Sequence, residues 1–485
     1  MTTFSFWVKT HTLIFALAFA CACARDTDNN GDSFNTATTG SESSAGDSSL
    51  ATGSTGVTTE DSDPCLQNRG AIVWDTTFDR GGDGELQTLN FYGVGAFDES
   101  LQQLYFGAQG SFGGPSMPRS VNPFVAIDLR ERKIVWELLH EGPQGPAGDL
   151  QAGITVLSNH DIATAMLEIA GYKGESDSVY YQTWHARVSP QGEIQAESVF
   201  DRINDNPVGD GPRGTVVRAT SDGGYVIVGV TDSSEPEAPV RRDKVYLQRY
   251  DAQSQMLWTK FYQIPGVAPD EYGGAFVPDA VVSPDDGIVV LVKHEVHPAD
   301  QNIWTLTKFD SNGDFAWESE VHRGEQYPSL LAERLNIGND GSMLIAGQTF
   351  MEVFGESKAW VRGWLARYDA NGQRSWLREE GAPGSSIDNR VDNAGFWDAK
   401  FDAAGNVWVS GTYSGSTDWA QAWVRKYDPQ GTELWNVPLH DDAKWSVSTQ
   451  VFIDSKCTGY VLGYTKAQLD ESTKANQPFV VQLSP

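Results

Sequence analysis

A motif that returns every 59 to 62 residues, an apolar landmark inside each return and two chain ends that complete one another predict an all-β chain. The expected fold is a seven-bladed β-propeller of four-stranded blades. At 485 residues the chain exceeds what one hydrophobic core organises, so it must divide into domains or repeats. Sixteen Trp, sixteen Tyr and forty-nine Gly favour strands joined by tight turns over helices.

The first element in chain order is an export signal over residues 1–20. Lys9 is the only Lys or Arg before the apolar run LIFALAFACACA (13–24). A run of that length suits a signal-peptide core of roughly 7–15 residues and falls short of the ~20 needed to span a bilayer. AFAC (18–21) resembles a bacterial lipobox, with Ala18 in the place usually held by leucine and Leu17 one position earlier. The resemblance implies lipidation of Cys21, with Cys23, preceded by Ala22, as the alternative. Residues 21–64 follow as a tether. From Asp26 to Pro64 it holds eight acidic residues, no basic ones, and mostly Ser, Thr, Gly and Asn. Such a segment buries too little apolar surface to offset its ordering entropy and is expected to be disordered.

The repeats occupy residues 65–485. They align on Trp74, Trp136, Ala196, Trp258, Trp317, Trp376 and Trp435. One unit shows all four strands: A at 394–402, B at 405–413, C at 422–428 and D at 432–439. Between C and D stand near-identical turns, FDSNGDFAW (309–317), YDANGQRSW (368–376) and YDPQGTELW (427–435). Asp310-Ser-Asn312-Gly-Asp314 begins like a calcium loop but lacks the closing bidentate glutamate. The economical reading is a hairpin, in which Asp starts the turn through its side chain and Gly supplies the left-handed residue. The tryptophans then pack neighbouring blades. Ala196 interrupts the series, and Trp184 or Phe200 is expected to supply the missing bulk.

The chain ends FVVQLSP (479–485), matching strand C and the turn start, and its repeats begin QNRGAIVW (67–74), matching the turn glycine and strand D. The last blade therefore takes three strands from the C-terminus and one from the N-terminus, which pairs edges otherwise left open. Cys65 precedes that N-terminal strand and Cys457 sits at the A–B turn of the same blade. In an oxidising compartment a Cys65–Cys457 disulfide would latch the ring, contributing about 4–5 kcal/mol on the chain-entropy model.

FDAAGNVWVSGTYSGSTDWAQAWVRKYDPQGTELW (401–435) resembles the bacterial SBBP-type β-propeller repeat, whose unit runs D-x-x-G-N-V-Y-V-T-G, a strand, then K-x-D-x-x-G-x-x-x-W. The resemblance covers roughly residues 65–485. It implies an exported bacterial protein of a kind frequently without assigned activity. VAIDLRERKIVWELLHEG (125–142) is also similar to repeats of quinone-dependent dehydrogenases.

The formal charge of −30 disfavours nucleic acid, whose phosphates need a basic face. No catalytic signature, cofactor or metal site stands out. In HEVH, His294 and His297 would face opposite sides of a strand, and only a loop would bring them together. Length and sequence vary most in the D–A and B–C connections: 110–120, 201–213, 232–243, 294–302 and 380–393. Variable loops on a rigid scaffold are where binding concentrates, which makes Arg213, Arg241, Arg242, His294, His297 and Trp419 the candidates for ligand contact. The expected role is a non-enzymatic, lipid-anchored, monomeric propeller binding protein or glycan at the bacterial cell envelope, at the outer membrane. The alternatives are an envelope-assembly scaffold, a quinone-dependent dehydrogenase, or a hydrolase or lyase working in the channel.

Overall fold

The computed structural model describes Cys65 and residues 70–78, 86–112, 119–140, 152–172, 179–200, 212–232, 243–263, 273–296, 301–321, 329–352, 359–381, 393–414, 420–440, 445–468 and 474–485. The signal and tether lie outside these residues. The first strand is β1 (Ile72–Thr77). Blade 1 then holds β2 (Leu86–Asp98), β3 (Gln103–Phe112), β4 (Arg119–Asp128) and β5 (Lys133–His140). Blade 2 holds β6 (Ala152–Val156), β7 (Ile162–Tyr172), β8 (Val179–Val188) and β9 (Ile194–Phe200). Blade 3 holds β10 (Pro212–Ala219), β11 (Tyr225–Asp232), β12 (Asp243–Tyr250) and β13 (Met256–Gln263). In blade 4 are β14 (Gly273–Val282), β15 (Ile288–Val296), β16 (Gln301–Phe309) and β17 (Phe315–Glu320). Blade 5 comprises β18 (Ser329–Ile337), β19 (Met343–Glu352), β20 (Ala359–Tyr368) and β21 (Arg374–Glu380). Blade 6 comprises β22 (Asn393–Phe401), β23 (Val407–Ser414), β24 (Ala420–Tyr427) and β25 (Glu433–Pro438), within two residues of the bounds expected from sequence.

The seventh sheet joins β26 (Ser446–Ile453), β27 (Gly459–Gln468) and β28 (Lys474–Leu483) to β1. Trp74 pairs Gln482 and Thr77 pairs Phe479, so the ring closes with one N-terminal and three C-terminal strands. First strands of successive blades touch one another all round the ring, which places them at the channel. Outermost strands keep exposed apolar side chains, among them Val73, Met256, Leu257, Phe261 and Phe315. The core lies between blades, in clusters formed by facing sheets, and the described side chains of the second and third strands are mostly buried.

The C–D turns are hairpins of one design. Asp310 Oδ1 accepts the N–H groups of Asn312 and Asp314, both at 2.9 Å, and Asp369 and Asp428 bond the same two positions of their own turns. Gly313 holds φ 77°, a conformation that costs most side chains strain. Each glycine has a second reason to be there. A Cβ at Gly313 would stand 2.8 Å from the Trp258 ring of the preceding blade, and one at Gly70 would stand 2.6 Å from Trp435. Trp136 meets Gly192, Trp317 meets Gly372 and Trp376 meets Gly431 in the same way. The indole of one blade thus packs against the turn glycine of the next.

The seam after Ala196 departs from this design. Its facing turn residue is Ser254 at φ 61°, not glycine. Trp184 does not serve this seam; it stacks with His140 and lies beside Phe124, toward blade 1. Phe200 fills part of the gap against Tyr246, with ring centroids 5.3 Å apart. The polar half of the tryptophan's work passes to Arg187, paired in register with Ala196. Its guanidinium bonds the Ala252 carbonyl, the counterpart of the Pro190 and Pro429 carbonyls that accept from Trp136 Nε1 at 2.8 Å and Trp376 Nε1 at 3.0 Å.

Candidate functional site

Of the residues proposed from sequence for ligand contact, Arg241, Arg242, His297 and Trp419 lie outside the described residues, as do Cys21 and Cys23. Arg213 belongs to β10, its backbone in register with Val230. His294 departs from the expectation. β15 runs on to Val296 and β16 starts at Gln301, so His294 stands on a strand rather than in a loop. Its ring is buried, Nε2 lies 2.7 Å from Thr305 Oγ1, and burial pushes the imidazole down to about 4. The preceding stretch of β15, Ile288–Val292, is buried and apolar and His294 continues its buried face, so tertiary packing absorbed what the sequence left as loop.

The channel gathers charges that the sequence did not single out. A bulge in each of β14, β18 and β22 shifts the register just before Asp279, Arg334 and Asp398 respectively. Asp279 Oδ1 is bonded by Arg218 from β10 and by the Ala280 N–H, while Oδ2 accepts the Leu335 N–H of the next blade at 2.9 Å. Asp398 repeats the arrangement. Oδ1 accepts the Ala399 N–H and faces Lys400 Nζ at 3.4 Å, and Oδ2 takes the Val451 N–H of blade 7 at 3.2 Å. Burial raises the Asp398 carboxyl above its ordinary range, against the pull of Lys400 and Arg334. Glu333, the extra residue of the β18 bulge, is likewise raised by burial and lowered in part by Arg334. Both aspartates therefore act first as clips between inner strands, and Glu333 is the channel acid to which no donor is bonded among the described residues.

On the opposite side, the A–B turns interlock around the ring. Their left-handed residue is glycine in blades 3, 5 and 6, but Gln102, His160, Asp286 and Cys457 in the others. The first three reach the preceding blade, and the fourth is tied to the chain entering β1. Gln102 accepts from the Tyr460 hydroxyl at 3.2 Å, Asp286 accepts the Ser221 N–H at 3.0 Å, and Cys457 is joined to Cys65. His160 meets Asp98 and Ser100, a Ser–His–Asp set that invites a nucleophile reading. The geometry opposes it. Asp98 Oδ2 and Ser100 Oγ approach the same ring nitrogen, Nδ1, at 2.8 and 3.2 Å, whereas a relay needs the base between them. Ser100 also donates to Asp98 Oδ1 at 2.8 Å. The set is a tie between blades 1 and 2.

The disulfide expected from sequence is present, with Cα atoms 5.2 Å apart, and it covers a buried polar knot. Lys426 Nζ lies 3.2 Å from Asp402 Oδ2 with both side chains fully buried. Lys426 also donates to the Cys65 carbonyl at 2.8 Å and lies over the Trp408 ring, while Asn406 Nδ2 donates to both Cys65 O and Asp402. Cys65, Cys457 and Asp402 approach closely enough to hold a metal ion. The sulfurs are bonded to each other and the carboxylate is already taken by Lys426, Asn406 and Trp408 Nε1, so the set is closed to one. A shallow cavity of about 480 Å³ opens between the turns of blades 5 and 6, lined by Asp340, Ser342, Arg367, Asp369 and Pro429. Its polar groups are spent locally. Arg367 donates to the Pro429 carbonyl at 2.9 Å and Ser342 Oγ at 3.1 Å, and both aspartates accept N–H groups of their own turns.

No family model matches the chain, and no curated protein matches it. Among solved structures, it is similar to an ulvan lyase of a polysaccharide lyase family bound to -[GlcA(1-4)Rha3S]-, at 11% identity and TM-score 0.49, covering 84% of this chain and 95% of that one. The polysaccharide lyase Uly1 aligns at 11% identity and TM-score 0.48, over 86% and 98% of the two chains. The β-propeller domain of the Trilobed protease from Pyrococcus furiosus aligns at 12% identity and TM-score 0.43, over 82% and 94%. Likenesses this distant carry no argument about chemistry, and the architecture stands on the chain's own sheet topology.

Proposed function

We propose that this chain is a non-enzymatic binding propeller of the bacterial cell envelope, held by a lipidated Cys21 or Cys23, that takes a protein or glycan on the face of its D–A and B–C connections. The observation that supports the reading is the use to which the inner charges are put. Asp279 and Asp398 spend their oxygens on N–H groups and cations of their own and adjacent blades. Acids saturated by the scaffold hold the ring together and have little left for a substrate. The connections on the other side vary in length and sequence from blade to blade, as a recognition surface does. The test is to replace Arg241 and Arg242 with Glu and Trp419 with Ala in the full chain. Binding to glycan arrays and purified envelope proteins should be lost while the melting temperature holds. Binding that survives loss of the whole face sinks the reading.

A second reading, a hydrolase or lyase working in the channel, has one observation in its favour. Glu333 is a channel acid held toward its protonated form by burial, as a proton donor would be. Under that reading Glu333→Gln abolishes turnover of a polysaccharide or peptide substrate; under the first it leaves binding intact.

A further inference from the structure

The seam between blades 2 and 3 combines three features, the first of which departs from the Trp–Gly packing found at other seams. Ala196 replaces the packing tryptophan and Ser254 the glycine that would receive it. The interior holds an imidazole, with His185 only 3% exposed. Its Nδ1 lies 3.4 Å from the Tyr225 hydroxyl and its ring 4.6 Å from that of Tyr250, which stacks on Tyr225 at 4.9 Å. The outer margin is left open, with Met256 and Phe261 of β13 exposed.

No carboxylate is bonded to His185 among the described residues. From blade 3 come the phenols of Tyr225, Tyr246 and Tyr250, which burial holds un-ionised. Asp251 accepts the N–H groups of Gln253 and Gln255 in its own turn. On blade 2, Asp161 is paired with Arg187, and Glu197 accepts from Trp184 Nε1 on the face turned toward blade 1. An imidazolium formed here would be buried and unpaired, which a protein tolerates only by admitting water.

We propose that the seam between blades 2 and 3 is an acid-opened joint of the ring, in which protonation of His185 drives the two blades apart. Burial holds the imidazole down to about 4, against 6.5 when free, so opening is favoured progressively as pH falls below the free value. Between about pH 6 and pH 5 each unit of pH shifts the open-to-closed ratio about tenfold, and the shift reaches roughly 150-fold by pH 4. Acid entering a periplasm or bathing a cell surface would thus loosen this joint, where no indole packs against a turn glycine, ahead of the blade 3–4 seam, where His294 is equally depressed but Trp258 packs against Gly313.

Hydrogen exchange followed by mass spectrometry on the full chain, at pH 7.5 and 5.0 with intrinsic rates corrected, tests this. Peptides covering 179–188, 225–232 and 243–250 should lose protection by roughly 30-fold, while 343–352 and 407–414 between blades 5 and 6 stay unchanged. His185→Gln should abolish the difference. Equal loss at every seam, loss confined to the blade 3–4 seam that holds His294, or an unaltered difference in His185→Gln overturns the proposal. Should that variant fail to fold, an NMR titration of His185 in the unmodified chain decides. Protonation coincident with the loss of protection upholds the joint, and protonation with the seam still closed overturns it.

Discussion

The closing blade and the seam between blades 2 and 3 are the same joint built to opposite specifications. At the closing blade, β1 is tied by backbone pairing, a disulfide and a buried Lys426–Asp402 pair that the Cys65 carbonyl caps. At the other seam, the indole is gone, an arginine reaches across to one carbonyl, and a neutral histidine fills the middle. The difference follows from connectivity. Blades 2 and 3 are joined through the chain, so a loosened seam still finds its partner. The closing blade joins residues 392 apart in sequence, and once β1 leaves, a large loop entropy opposes its return. Strength has been placed where dissociation is hardest to reverse.

Ways to break the contrast can be ranked by effect. Asp402→Ala strips the buried partner from Lys426 and should cost about 3–5 kcal/mol, read as a lowered midpoint in urea. Next, Cys65→Ser with Cys457→Ser should cost about 2–5 kcal/mol; if the latch matters to the N-terminal strand, proteolysis should then begin within residues 65–78. An equal effect from reducing agent on the double variant would show that the disulfide was not the cause.

Acid should act on the weak side and, through His294, on the blade 3–4 seam as well. His185 and His294 both have pKa values of about 4 in the folded chain, below the free 6.5. A depressed histidine contributes its stability in full above pH 6.5 and loses it as pH falls toward 4. At that limit each is worth about 3 kcal/mol. Denaturation midpoints measured from pH 7.5 to 4 should fall along this window, and a flat profile would remove both groups from the account. The smallest effect is a repair. Ala196→Trp with Ser254→Gly restores the standard pair and should stabilise by about 1 kcal/mol, whereas Gly313→Ala in the intact blade 3–4 seam should destabilise by about 1–3 kcal/mol. Equal and opposite responses would sharpen the view that one motif governs both seams.

Much of this was readable in advance because repetition multiplies a weak local signal. The hairpin in YDANGQRSW is ambiguous once and unmistakable across the repeats, and FVVQLSP with QNRGAIVW revealed the closing blade without any contact. The histidines show the limit. His294 reads as part of a polar loop because the apolar run of β15 ends in the mixed residues KHEV, and only Thr305 across the sheet gives its ring a buried partner. His185, in the stretch QTWHARV, carries no mark of its isolation from carboxylates. The channel charges were hidden for a different reason. Asp279 is the one polar residue of β14 and Asp398 stands among apolar neighbours in β22, and only the bulges preceding them bring them to the next blade's N–H groups.

By itself, the sequence determined the strand count, the turn chemistry, the closure and the cysteine pairing, because each depends on residues at fixed offsets within one repeat or at its two ends. Tertiary structure alone decided which turn residue meets which neighbouring blade, which carboxylates are spent on the scaffold and which imidazole lies unpaired in a seam. Those depend on contacts some sixty residues apart, between sheets, where burial and the partners present, not the residue type, set the energy.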